Sequence, residues 1–173
     1  LLLLIFTSVG PDVRIHLMGH SFGCIVLSSM LAGPSAQGWL PRPVQSLALV
    51  QGALSLWSFS PQLPFALQRP GYFHRVVSGQ LVDGPMLTTY SRHDLAVGFW
   101  YPLGARFGPI DFAPGQLPRY GSLGSFGAHG DGLAVHAGEL LDVEQPYTFV
   151  PDTIYNLDSQ KVIRKEGWPE GAH

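Results

Sequence analysis

The chain has 173 residues, 46% of them hydrophobic and 13% charged, with a formal net charge of −2 at neutral pH. That length and balance suit one domain with a sizeable packed core and exclude a disordered chain. They also argue against a nucleic-acid surface, because the ten Lys and Arg are scattered, with only a mild cluster at Lys161, Arg164 and Lys165. The single cysteine, Cys24, can form no internal disulfide and belongs to no cysteine pair of metal-ligand spacing, so it reads as a small buried apolar residue.

The run Leu1 to Phe6 carries no Met and no basic flank. It is too short to span a bilayer and makes a poor signal peptide, so it reads as a helix remnant preceding the first strand. At the other end, Gly171-Ala172-His173 stops abruptly. The chain is therefore expected to be a C-terminal fragment of a longer protein.

Val13 to Leu31 is the stretch around which the rest is organised. Arg14 to Met18 is rich in large aliphatics with little polar alternation, which predicts a buried parallel strand. His16 within it reads as a polar side chain near a sheet edge. Gly19-His20-Ser21-Phe22-Gly23 follows, and then an apolar run over Phe22 to Ala32 that predicts a helix stopped by Gly33-Pro34. A Gly-x-Ser-x-Gly turn between strand and helix is the setting of a nucleophile elbow. Gly19 and Gly23 are expected to let strand and helix approach closely, Ser21 to stand at the tip, and the Phe22 N–H to face an oxyanion.

On these residues the sequence resembles the α/β-hydrolase superfamily, in its lipase- and esterase-like serine hydrolase branch. The resemblance implies an α/β fold with a parallel sheet, crossover helices and a Ser-acid-His triad. It makes His20 a supporting residue beside the nucleophile rather than the base.

Ser35 to Pro43 reads as a loop and Ser46 to Val50 as a second strand, parallel to the first through a right-handed crossover. Gln51, Ala53 and Leu54 then face the same rim as Ser21, beyond the C-terminal strand ends. Ser55 to Pro70 is irregular and aromatic, a candidate wall of an acyl pocket or plain surface packing. Gly71 to Gly79 has helical spacing, Asp83-Gly84-Pro85 is a turn, and Met86 to Tyr90 predicts a third strand.

Asp94, just past that strand, stands where the superfamily places the triad acid, with a helix N-cap as its alternative role. Asp83 is at the opposite end of the strand, and His93 is expected only to shape the loop. Residues 99–147 are Gly- and Pro-rich without clear periodicity, and are expected to form a lid-like or surface insertion within a single domain spanning 1–173. His129, His136, Asp131, Glu139 and Asp142 match no common ligand spacing, so no metal and no cofactor is expected. Thr153 to Leu157 predicts a fourth strand, with Lys161 to Arg164 as a short hairpin partner.

The superfamily's histidine follows the last strand, which points to His173, with His129 and His136 as competing bases. Ser21, Asp94, His173 is then the superfamily's chain order. Four strands stand where the family sheet has about eight. The strands before the elbow, with the loop that supplies the second oxyanion donor, are expected to be missing, leaving the first strand an unpaired edge. The expected activity is hydrolysis of a carboxylic ester or related acyl bond in a small-molecule substrate. A non-catalytic binding scaffold, an inactive fragment and, more weakly, a membrane-surface lipase are the alternatives. No nucleic acid and no transmembrane segment is expected, location leans cytoplasmic, and oligomeric state is left open.

Overall fold

The structure, a computed structural model, describes residues 1–33, 40–93 and 117–163. Helix α1 (Leu2–Ser8) is followed by β1 (His16–His20), α2 (Gly23–Ala32), β2 (Ser46–Val50), α3 (His74–Ser78), β3 (Met86–Tyr90), α4 (Leu123–Phe126), β4 (Val135–Glu139) and β5 (Ile154–Asp158). The five strands form one sheet in the order β1-β2-β3-β5-β4, and every neighbouring pair is parallel. The protein is thus of the α/β class. Among the described residues no helix is long and apolar enough to cross a membrane.

The register aligns Leu17, Leu47, Met86 and Ile154 in one row, and Gly19, Leu49, Thr88 and Asn156 in the next. This face of the sheet forms the core, joined by Leu2 and Phe6 of α1, Cys24 and Leu31 of α2, Phe59, Phe73 and Leu123. Burial of this continuous apolar set is the main force holding the elements on the sheet. The other face is more open over β1, where Met18 is 77% exposed.

β1, at one edge of the sheet, starts two residues later than the predicted strand. Val13 and Arg14 are exposed, and the Ile15 N–H is taken by the Gln45 side chain at 2.8 Å instead of a ladder carbonyl. The strand consequently runs straight to His20, and the turn begins at Ser21.

Two further expectations are corrected. The sheet has five strands among the described residues, not four, because β4 arises inside the stretch read as an insertion. And Lys161 to Ile163 makes no hairpin. The edges of β5 are already taken by β3 and β4, so the chain turns instead, with Val162 and Ile163 N–H both donating to the Ser159 carbonyl.

Of the stretch 99–147, residues 99–116 lie outside the described residues. The part from 117 onward is built into the fold. Leu123 and Ala128 are fully buried, and Asn156 clamps the chain at Ala128. Its side chain accepts from the Ala128 N–H at 2.8 Å, donates to the Ala128 carbonyl at 2.9 Å and accepts from the Thr88 hydroxyl at 2.8 Å. Gly127, at φ 78°, has no room for a Cβ against that same side chain.

Candidate active site

Ser21 follows the last residue of β1 and stands one residue before the N-cap of α2. Its φ is 52°, in the left-handed region that a non-glycine residue occupies at a cost of about 1–3 kcal/mol. The turn is fixed at three backbone points. Ser21 N–H donates to the Val50 carbonyl at 3.0 Å, and the Ser21 carbonyl accepts from Ala53 and Cys24 N–H, both at 3.1 Å. The first two bonds tie the turn to the end of β2, so the strain is held by the neighbouring strand rather than by the turn alone.

Gly19 is required where it stands. A Cβ there would lie 2.9 Å from the Gly23 carbonyl carbon and from the Leu27 side chain, so the strand could not meet the helix. Gly23 departs from the expectation of close approach: a Cβ at that position would meet nothing within 4 Å. The tight contact is made on one side only, at Gly19. His20 is exposed beside Ser21, and Phe22 is 72% exposed.

The Phe22 N–H finds no acceptor among the described residues, and it lies at the positive end of the α2 dipole. It is therefore free to donate to an anion forming beside Ser21. Below the turn, Cys24 is buried with its thiol donating to the Gly19 carbonyl at 3.2 Å. Burial pushes the thiol pKa up to about 11, so at neutral pH it is a packed protonated group.

One polar residue follows directly on each of four strands: Ser21 after β1, Gln51 after β2, Ser91 after β3 and Ser159 after β5. Gln51, Ser91 and Ser159 are buried, and Gln51 and Ser159 are bonded to each other. Gln51 also takes a left-handed φ, 44°, with its N–H on the Thr89 hydroxyl and its side-chain amide donating to the Ser159 hydroxyl at 2.9 Å. That hydroxyl in turn donates to the Tyr90 carbonyl at 2.7 Å. Burial, and then the neighbouring Asp158 carboxylate, raise the Tyr90 phenol pKa, with Arg92 opposing. The predicted rim position of Gln51 is observed. The polar layer it joins was not predicted, and its one sequence signal is a polar residue ending each apolar run.

Asp94 and His173 lie outside the described residues. Asp83 is at the N-terminal end of β3, where its N–H donates to the Val44 carbonyl. His16 opens β1, at the end of the strand away from Ser21, with its Nδ1 2.8 Å from the Ser46 hydroxyl. His136 lies inside β4, four strand positions from β1, roughly 19 Å across the sheet. It cannot reach Ser21 and is ruled out as its base. His129 is on the rim side, since its N–H donates to the Leu56 carbonyl. Its Nε2 lies 2.9 Å from the Phe126 carbonyl, which can only accept, so Nε2 carries the proton. His93 is exposed, and its N–H donates to the Ser91 hydroxyl at 3.2 Å. Among the described residues no three His, Cys, Asp or Glu side chains come together in a way that could hold a metal ion.

Compared with family models, with curated proteins and with solved structures, the chain finds no match in any of the three.

Proposed function

We propose that this chain is a serine hydrolase of the α/β-hydrolase type that cleaves a carboxylic ester or related acyl bond. The observation that carries the reading is Ser21 itself. It is a strained, half-buried serine between a parallel strand and a helix, inside Gly-x-Ser-x-Gly, with a free N–H on the next residue. Strain of this kind persists where the surroundings enforce it, and here the end of β2 does so.

In the proposed reaction the Ser21 Oγ attacks the acyl carbon and gives up its proton to the imidazole of His173. The developing oxyanion is met by the Phe22 N–H. Asp94 orients the imidazole and stabilises its cationic form. The ester C–O bond then breaks, and the alcohol leaves with the proton from the imidazole. Water, deprotonated by the same imidazole, attacks the acyl carbon, releasing the acid and restoring the serine hydroxyl. Each step is an acyl or proton transfer, with no change of oxidation state.

The test is covalent labelling of the native chain by a fluorophosphonate, followed by mass spectrometry. The expected adduct is on Ser21 and absent in Ser21→Ala. An unlabelled Ser21 in folded protein overturns the reading. Separately, Asp94→Asn and His173→Gln are each expected to slow labelling by about a hundredfold or more, as loss of the positioned base or its orienting acid does.

A further inference from the structure

Beside the first two turns of α2 lies a cavity of about 450 Å³, within the range of small-molecule sites. Ile25 and Ser29 of α2 form one wall, and Leu54, Trp57, Phe65 and Phe73, from the irregular stretch after β2, form the other. Ser21 is not itself a lining residue; both walls continue in sequence from the residues that hold its turn. Ile25 is one helical turn beyond Ser21, and Leu54 follows Ala53, whose N–H donates to the Ser21 carbonyl.

The lining carries no carboxylate and no basic side chain, and its polar side chains are serine hydroxyls and the Tyr72 phenol. Leu54, Trp57 and Phe73 are themselves buried, so this wall is preformed. Trp57 is locked by its indole N–H donating to the Pro118 carbonyl at 3.1 Å, and by an edge-on contact with Phe65 at 6.5 Å. A second cavity, of about 400 Å³, lies at the N-terminal ends of β3 and β5, across the sheet from the elbow, and includes no residue near Ser21.

We infer that the cavity between α2 and residues 54–73 receives an uncharged, apolar acyl group of medium length, presented to Ser21. This assigns the substrate class of the proposed hydrolase and rests on that reading for its chemistry. A charged acyl group would lose its hydration there with no counter-charge in the lining. An alkyl chain gains with each methylene it buries.

The experiment has two arms on the full chain. In the first, octanamide is titrated calorimetrically into the wild type and into Ser29→Trp, which fills the cavity from an exposed helix position. Binding to the wild type, weakened at least tenfold in the variant, is expected. No binding to the wild type overturns the inference whatever Ser21 does. Ser29→Leu, a smaller intrusion, is the second variant, expected to give an intermediate loss.

In the second arm, p-nitrophenyl acetate, butyrate, hexanoate and octanoate are compared. kcat/KM is expected to rise by up to about fourfold per methylene, and the octanoate-to-acetate ratio to fall at least tenfold in Ser29→Trp. Ester cleavage without length dependence overturns the pocket and leaves the hydrolase standing. Octanamide binding with no ester cleavage and no Ser21 labelling does the reverse.

Discussion

The hydroxyl of Ser91 donates to the carbonyl oxygen of Ile163 at 3.0 Å and accepts the N–H of His93 at 3.2 Å. One fully buried side chain thus ties the residues just before Asp94 to the residues that lead toward His173. Its own N–H is held by the Gly124 carbonyl at 2.9 Å. Ser91 thus joins residue 93 to residue 163, the described residues that precede the proposed acid and base in the chain.

Ser91→Ala is therefore expected to cost about 1–2 kcal/mol in urea unfolding, the usual price of leaving buried partners unmet. Ester turnover should fall several-fold more than the unfolded fraction explains. Stability and turnover both at wild-type levels would show that the joint carries nothing.

The two elbow glycines are expected to respond in opposite directions. Gly19→Ala places a methyl group 2.9 Å from the Gly23 carbonyl carbon, so strand and helix must separate. A loss of about 2 kcal/mol or more is expected, as for overpacking at a closed contact. Gly23→Ala meets open space at the first turn of α2 and removes a flexible residue from a helix. A small gain, about 0.5–1 kcal/mol, is expected there. Thermal unfolding of the pair is the check, and equal losses would contradict it.

Cys24 supplies a pH dependence. Its folded thiol pKa is about 11, above the ordinary value of 9.0, because burial disfavours the thiolate. A raised folded pKa means that its stabilising contribution is whole below pH 9 and is lost as pH climbs toward 11, where the unfolded thiol has already ionised. The wild type should lose stability across that window more steeply than Cys24→Ala. The same burial predicts that native protein at pH 8 reacts with iodoacetamide far more slowly than protein unfolded in urea.

Asn156 makes three side-chain bonds at the heart of the sheet, to Thr88 and to both backbone groups of Ala128. Asn156→Ala leaves all three partners unmet in a buried place and is expected to cost about 2–4 kcal/mol. Hydrogen exchange should show residues 121–130 losing protection ahead of β2 and β3. Uniform loss would mean that this segment is held by apolar packing instead.

Four of the five strands were legible in the sequence from their apolar runs, although β1, read as buried, leaves three of its five residues exposed at the sheet edge. β4 was not. Four of its five residues are exposed, so Val135 to Glu139 leaves no pattern of burial to read. The elbow was legible because a strained serine between strand and helix demands glycine close by, and Gly19 bears this out. Gly23 does not, since open space beside a residue is a property of distant neighbours. The polar layer was illegible for the same reason. Gln51 and Ser159 are 108 positions apart, and only the finished sheet brings their side chains together.

The placement of β4 has a consequence for the order in which the molecule is assembled. Residues 135–139 precede 154–158 in the chain, yet among the described residues β5 is the only strand they pair with. On the ribosome, β4 emerges before its partner and can pair with it only once β5 has been made. The pairing at this edge of the sheet is therefore set by the later-made of the two strands.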